Sequence, residues 1–174
     1  PSLVFEAENQ PNDAFVSKGS YLMLEKKKTE ETPSYELTQT FDVPYTGNYT
    51  LAVILGHVSG YTSPTKIKVN DGEYISVEDT EKVRDEVLDY RCGADAHRFT
   101  FVDAISLQAG TNTITFLADA AGSKRSDSMM YVYIDKYELK PEAKAAKAEL
   151  AIDADFLKKG EAANASVKAY NAFD

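Results

Sequence analysis

Short runs of alternating apolar and polar residues dominate the first 140 residues of the chain. Alternation with a period of two places residues i and i+2 on the same face of a β-strand. The runs are rich in Val, Ile, Thr, Tyr and Phe, which favour strands. They are LVFEAE, SYELTQTFDV, GNYTLAVILG, TKIKVN, EYISVE, RFTFVDAISL, NTITFLAD and MMYVYIDKYEL. About eight strands at short spacing predict an all-β fold, namely a β-sandwich.

Turn residues separate several of these runs. PYTGN at 44–48 has an early proline and a late glycine, and QAGTN lies at 108–112. NDG at 70–72 predicts a hairpin turn, because Asn and Gly tolerate positive φ angles.

Two segments interrupt the strand pattern. Residues 78–98 are highly charged, and the helical spacing of Val83, Val87 and Leu88 predicts a short helix there. AAGSKRSDS at 120–128 predicts a polar loop. Long loops on a rigid sandwich are common positions for binding sites.

The composition changes after residue 140. PEAKAAKAEL favours a linker or a helical turn or two, and the rest predicts strand, turn at Lys159 and Gly160, and strand again. We therefore predict a β-sandwich domain at 1–140 and a C-terminal extension at 141–174. The extension would be a linker followed by the first strands of an immunoglobulin-like module in a longer chain. An appendage packed on the first domain is the alternative.

Composition narrows the classes of partner. The chain has 174 residues, 43% of them hydrophobic and 27% charged, which is typical of a globular domain. A net charge of -9 argues against nucleic acid and suits extracellular solubility or cation binding. The sequence contains no run of about 18 apolar residues, so no segment is predicted to span a membrane. Cys92 is the only cysteine, so an internal disulfide is impossible. The N-terminal residues favour a mature or excised domain.

Two glutamates, Glu6 and Glu8, alternate in the first predicted strand. On one strand face the two carboxylates would repel each other unless water or a cation lies between them. The face is therefore solvated, or the glutamates pair with Lys18 or Lys136, or they bind a metal ion.

Signals for catalysis are weak. The histidines, His57 and His97, fall in predicted loops, and no nucleophile elbow, HExxH, GxGxxG or P-loop motif occurs. CGADAH, which holds Cys92, Asp95 and His97, is a loose array for zinc or for a Cys–His pair. Solvent-facing histidines are the simpler interpretation. A pair of carboxylates in a cleft stays open as an alternative.

An ordered set of motifs resembles a known group of proteins. FEAEN, the VPYTGNYTLAV segment at 43–53, the VNDG hairpin at 69–72, ISLQAGTNTITF at 105–116 and YIDKYEL at 133–139 occur in that order. Together they resemble the galactose-binding-like jelly-roll sandwiches of carbohydrate-binding module families 6 and 35, over residues 3–140.

The resemblance implies a structural calcium. In these families the paired glutamates of the first strand and an aspartate of the last strand commonly bind this ion. By position these ligands are Glu6, Glu8 and Asp135, with carbonyl groups of the Val16–Tyr21 loop as further ligands. Calcium prefers six to eight oxygen ligands, which this donor set suits.

An aromatic platform for a sugar has to be tyrosine or phenylalanine, because the chain has no tryptophan, and the 11 tyrosines supply the candidates. Tyr61 and Tyr90 fall in predicted loops, and Asp89 and Arg91 flank Tyr90 with an acceptor and a forked donor. The families often carry an asparagine two residues before the calcium-binding aspartate, whereas this chain has Tyr133 there. Tyr133 is therefore a candidate platform itself, or the site has moved or been lost.

Together these features predict a non-catalytic carbohydrate-binding module, stabilised by calcium, that targets a covalently linked extracellular enzyme to a polysaccharide. The alternative is a structural or adhesive cell-surface domain without sugar binding. A small lyase or hydrolase with a groove on the sandwich is a third hypothesis.

Overall fold

The computed structural model describes residues 1–57, 62–87, 95–119, 127–142, 145–152, 160, 162 and 164–171. The chain divides into two compact units, Pro1–Pro141 and Glu142–Asp174. Among the described residues, no helix is long and apolar enough to cross a membrane.

The first unit is a sandwich of two antiparallel sheets. Its strands are β1 Leu3–Glu6, β2 Phe15–Ser17, β3 Leu22–Lys27, β4 Ser34–Val43, β5 Gly47–His57, β6 Thr65–Val69, β7 Ile75–Ser76, β8 Glu81–Val87, β9 Asp95–Thr100, β10 Ile105–Leu107, β11 Gly110–Asp119 and β12 Met129–Pro141. Short 3₁₀ turns form at Ala7–Asn9 and Val77–Asp79.

Within the described part of the unit, eight strands form one sheet and four form the other. The larger sheet has the order β2-β3-β12-β5-β9-β8, with β1 also paired to β12 and β10 to β5. The smaller sheet has the order β4-β11-β6-β7. The predicted all-β sandwich is confirmed.

The core fills the space between the two sheets. Tyr137 of β12 contacts Phe41 of β4 and Phe116 of β11, so its face of the larger sheet points toward the smaller one. Tyr137 lies opposite Val53, and every residue from Leu51 to Gly56 is buried. β5 is thus covered on both faces, which explains its nearly continuous apolar sequence.

A β-bulge divides β12. Ile134 lies opposite Leu55 and Lys136 lies opposite Ile54, so Asp135 is the extra residue in the register between β12 and β5. A bulge of one extra residue reverses which face the following side chains occupy. It therefore decides where Tyr133 and Asp135 lie.

The predicted turns are present, whereas the predicted helix is absent. Asn70 has a φ of 50° in the turn after β6, and Gly110 has a φ of 95° where β11 begins. Residues 81–87 form strand β8, which pairs with β9, so the expectation of a helix over this part of 78–98 is wrong. Pairing with β9 supplies backbone hydrogen bonds that outweigh a weak helical pattern.

The second unit contains an antiparallel pair of strands, β13 Ala145–Ile152 and β14 Ala165–Asn171. A strand at 145–152 replaces the expected linker or helical turn. Leu150 lies opposite Val167, and their exposed fractions are 65% and 70%. The immunoglobulin-like module stays a prediction.

Candidate functional site

Glu6 and Glu8 do not share a strand face, contrary to the premise drawn from their spacing. β1 ends at Glu6, and Glu8 belongs to the 3₁₀ turn Ala7–Asn9. Glu6 is exposed and lies opposite Lys136 of β12. The strand break therefore separates two carboxylates that a continuous strand would have placed together.

Glu8 carries a buried carboxylate oxygen. Its Oε2 atom has no hydrogen-bond partner among the described residues. The surrounding 3₁₀ turn packs against β12 and β2. A buried oxygen of this kind costs free energy unless a donor or a cation satisfies it.

Gln39 holds this turn in place from the smaller sheet. Its side chain is 1% exposed, and its Nε2 donates to the carbonyl oxygens of Ala7, at 2.7 Å, and Gln10, at 2.9 Å. Gln10 in turn donates from Nε2 to the carbonyl of Thr40 at 2.8 Å. The backbone on either side of Glu8 is therefore fixed.

Asp135 is the bulged residue of β12 and is 6% exposed. Its Oδ2 lies 4.0 Å from Nζ of Lys136, the neighbouring residue. Pairing of β1 with β12 brings Glu6 opposite Lys136, so Lys136 lies beside both Glu6 and Asp135 in the strand register.

The fit of a metal ion here is partial. Across the described ranges, no three His, Cys, Asp or Glu side chains form a group able to hold a metal. In the Val16–Tyr21 loop the Tyr21 carbonyl already accepts from the Lys18 amide at 2.8 Å. The buried Oε2 of Glu8 is the feature that suits a hard cation. Calcium stays a prediction.

The structure corrects the interpretation of Tyr133 as a sugar platform. Tyr133 is 1% exposed, and its ring packs edge-on against Tyr21 with centroids 6.2 Å apart. It lies opposite Gly56, on the face of the larger sheet turned away from the smaller one. A ring so deeply buried presents no open face to a sugar.

The other predicted sugar contacts lie outside the described residues. These are Tyr61, Asp89, Tyr90 and Arg91. The strand ends that flank their segments do lie together, since His57 at the end of β5 is opposite Asp95 at the start of β9.

The two histidines lie in strands β5 and β9 and not in loops as expected. Their rings meet edge to face with centroids 5.3 Å apart, and both approach Phe99. His97 Nδ1 lies 3.2 Å from the carbonyl oxygen of Asp95. The ring contacts are packing contacts, the contact with Asp95 is a hydrogen bond to backbone, and Cys92 lies outside the described residues.

A charged pair that the sequence did not reveal lies on the face of the larger sheet turned away from the core. Arg98 Nη1 lies 2.6 Å from Glu138 Oε2, and Nη2 lies 3.3 Å from Oε1. Hydrogen bonds from the guanidinium, with Lys136 adding a smaller effect, hold the pKa of Glu138 below its ordinary value despite partial burial. Only the strand order β12-β5-β9 could have identified this pair.

The chain is similar in structure to proteins that contain family 35 carbohydrate-binding modules. A GH26-CBM35 β-(1,4)-mannanase from Podospora anserina matches with a TM-score of 0.50 and 17% identity, over 82% of this chain. The chain spans 28% of the length of that mannanase.

Two isolated modules also match. The CBM35 of Abf62 from Cellvibrio japonicus has a TM-score of 0.45 and 14% identity, over 80% of this chain and 92% of the module. A family 35 carbohydrate-binding module from an environmental isolate has a TM-score of 0.46 and 14% identity, over 80% and 93%.

Comparison at the level of sequence gives no match, either to a protein-family model or to a curated protein. At these identities the structural likeness establishes the fold. The predicted resemblance is confirmed at the level of the fold, a β-sandwich similar to part of a mannanase that contains a family 35 carbohydrate-binding module, and a likeness to family 6 is not shown.

Proposed function

We propose that this chain is a non-catalytic carbohydrate-binding module of an extracellular protein that also contains a polysaccharide-degrading enzyme. The observation that carries the proposal is the sandwich of an eight-stranded and a four-stranded antiparallel sheet, with its likeness to the Podospora anserina mannanase. The ordered motifs of the sequence support the same conclusion.

The module would act by targeting. A modest affinity for a polysaccharide keeps a covalently linked catalytic domain close to its substrate and raises its effective concentration. The module itself then needs a binding surface and no reacting groups.

We assign sugar binding to Tyr61 and to the Asp89, Tyr90 and Arg91 trio. A tyrosine ring can pack on the C–H face of a pyranose, while a carboxylate and a guanidinium exchange hydrogen bonds with its hydroxyl groups. The burial of Tyr133 removes the other aromatic candidate.

We further propose that Glu8 and Asp135 contribute carboxylates to a structural calcium, whereas Glu6, which is exposed opposite Lys136, is left out of the ligand set. The buried, unsatisfied Oε2 of Glu8 supports this assignment, as does the contact of its turn with β12. The ion would supply positive charge that joins the first and last strands of the unit. It would stabilise the domain without taking part in any reaction.

Affinity gel electrophoresis tests the proposed function. Mobility of the protein should fall in gels that contain the recognised polysaccharide. Tyr90→Ala should restore free mobility without changing the melting temperature. Tyr45→Ala is the matched control, because it removes a half-exposed tyrosine from the turn between β4 and β5. Equal mobility of the wild type across all polysaccharide gels would oppose sugar binding.

The alternative function is a structural or adhesive domain of a cell-surface protein. The specific observation in its favour is Tyr133, which replaces the expected asparagine and is buried. In that case the gels would show no retardation with any polysaccharide, although the domain is folded.

A further inference from the structure

A cavity of about 480 Å³ opens between the two sheets of the first unit. One wall is the β6–β7 hairpin of the smaller sheet, and the other is the segment from Phe101 through β10 beside the larger sheet. The cavity lies at the C-terminal end of β6, whereas the segment with Tyr61 precedes the N-terminal end of β6. The described residues His57, Thr62 and Asp95, which flank the segments of the proposed loop site, do not line the cavity.

The floor and walls of the cavity are apolar. Ile67 and Phe101 are 0% and 4% exposed and form part of the core. Ile75 lies opposite Ile67 in the hairpin and is 38% exposed, so it carries the apolar surface out to the opening. Ile105 of β10 completes the lining on the other side.

The rim is a rigid turn. Asn70 has a φ of 50°, and the Gly72 amide donates to the Val69 carbonyl at 3.0 Å. The Asn70 side chain accepts from the Thr113 amide at 2.9 Å and donates to Asn112 at 3.0 Å. These bonds anchor the turn to β11 before any ligand arrives, which lowers the entropy cost of binding.

Two carboxylates on this rim, Asp71 and Glu73, line the cavity. Neither takes part in an ion pair within the described part of the chain. The nearest lysines of the hairpin are engaged elsewhere, since Lys68 lies over the ring of Tyr74 at 5.0 Å and Lys66 pairs with Asp119 at 3.5 Å. Among the described lining residues, the opening therefore offers strong hydrogen-bond acceptors and no positively charged side chain.

We propose that this cavity is a second saccharide site, which takes one uncharged pyranose residue. Its volume falls within the range of about 300–1,000 Å³ that is common for small-molecule sites. The isoleucines and Phe101 would contact the C–H groups of the sugar, and Asp71 and Glu73 would accept hydrogen bonds from its hydroxyl groups. Uronic acids are disfavoured because their carboxylates would meet two like charges. This inference rests on the proposed function and extends it to another site.

Titration followed by amide NMR shifts tests the inference. The probes are the methyl glycosides of glucose, galactose, mannose and xylose, and methyl glucuronide, each added up to about 50 mM, since weak sites bind in the millimolar range. At least one uncharged glycoside should give saturable shifts in residues 69–75 and 101–106, while the glucuronide should give none there.

Variants make the test specific. Asp71→Asn and Glu73→Gln should each weaken the fitted affinity at least about threefold, which corresponds to loss of one modest hydrogen bond. Ser106→Trp should abolish the shifts, because Ser106 is an exposed residue of the lining and a large ring there fills the cavity. Asp13→Asn is the control, since it makes the same change of charge at an exposed residue outside the cavity.

The outcomes separate this inference from the proposed function. Saturable shifts confined to residues near His57, Thr62 and Asp95 would overturn the second site and leave the sugar-binding function standing. Absence of shifts with every monosaccharide, together with retardation in a polysaccharide gel, would do the same. Absence of both would overturn the function and the inference together. Binding of methyl glucuronide at residues 69–75 would also contradict the proposed ligand class.

Discussion

Arg98 and Glu138 form a two-pronged ion pair across an intervening strand, with Nη1 2.6 Å from Oε2 and Nη2 3.3 Å from Oε1. Arg98 lies opposite Ile54 and Glu138 lies opposite Ala52, so the pair spans β5. The pair therefore links three strands of the larger sheet on the face turned away from the core.

Stability should depend on this pair in a pH-dependent way. The folded-state pKa of Glu138 lies below its ordinary value of 4.5, because the Arg98 guanidinium favours the ionised form. The stabilisation is therefore complete above the unfolded-state pKa and is lost as the pH falls through the lowered folded-state pKa. Urea unfolding of wild type and Glu138→Gln should differ by about 1 kcal/mol at pH 7. The difference should shrink below pH 4.5.

Glu30→Gln, at an exposed residue between β3 and β4, is the control for the change of charge. A difference between wild type and Glu138→Gln that stays constant from neutral to strongly acidic pH would show that the ion pair is not its source.

Tyr137→Phe should leave the free energy of unfolding unchanged or raise it slightly. The hydroxyl of Tyr137 is buried with no hydrogen-bond partner among the described residues, and burial raises its pKa well above the ordinary value. Removing an unsatisfied polar atom relieves a desolvation cost of about 1 kcal/mol.

Tyr49→Phe is the matched comparison. Tyr49 is 0% exposed, and its hydroxyl donates to the Tyr45 carbonyl at 2.7 Å. Its loss should lower stability by about 1 kcal/mol. Thermal or urea unfolding that ranks Tyr137→Phe below Tyr49→Phe would contradict the assignment.

Gln39→Leu should destabilise the first unit by about 2 kcal/mol, because it removes both donors to the 3₁₀ turn from a buried position. The exposed substitution Gln108→Leu should change stability by less than about 0.5 kcal/mol. Chemical denaturation measures both. Equal effects of the two substitutions would mean that Gln39 does not hold the turn.

Much of the sandwich could be predicted because alternation survives in its long strands. The predicted runs SYELTQTFDV and NTITFLAD became β4 and most of β11. Burial in β4 alternates residue by residue from Leu37 to Val43, and the sequence shows the same alternation except at Gln39, which is polar and buried.

The bulge at Asp135 explains why Tyr133 was misplaced. In an unbroken strand Tyr133 and Tyr137 share a face, but the register shift puts them opposite Gly56 and Val53, which lie on different faces of β5. Nothing in the local sequence marks the extra residue. The buried state of Tyr133 follows from strand pairing and not from the residue itself.

Two further errors have a related cause. Residues 81–87 and 145–152 have helix-compatible compositions, yet each pairs with a neighbouring strand, β9 or β14. Intrinsic propensities amount to fractions of a kcal/mol per residue, so tertiary pairing overrides them. The candidate metal site was harder to predict. The sequence pattern placed Glu6 and Glu8 on one strand, whereas β1 ends at Glu6.

Calcium should raise the melting temperature of the wild-type protein, and a chelator should reverse the rise. An ion that binds only the folded state at about 100 times its Kd adds about 2.7 kcal/mol of stability. Glu8→Gln should abolish this response, because it replaces the negatively charged carboxylate that carries the buried Oε2 atom. Differential scanning calorimetry with and without calcium measures the effect.

Glu25→Gln is the control for calcium, as Glu25 lies on β3 and is not part of the 3₁₀ turn. Identical melting curves of wild type in calcium and in chelator would show that calcium does not stabilise the protein. The assignment of the sandwich fold would still hold.

Isothermal titration calorimetry of the protein against a polysaccharide panel tests the central claim most directly. The panel should include neutral plant glycans and acidic plant and bacterial glycans, with reducing ends assayed in parallel. The account predicts saturable heat with at least one polysaccharide and no release of reducing sugar. Absence of heat with every polysaccharide, from protein shown to be folded by its melting transition, would contradict it.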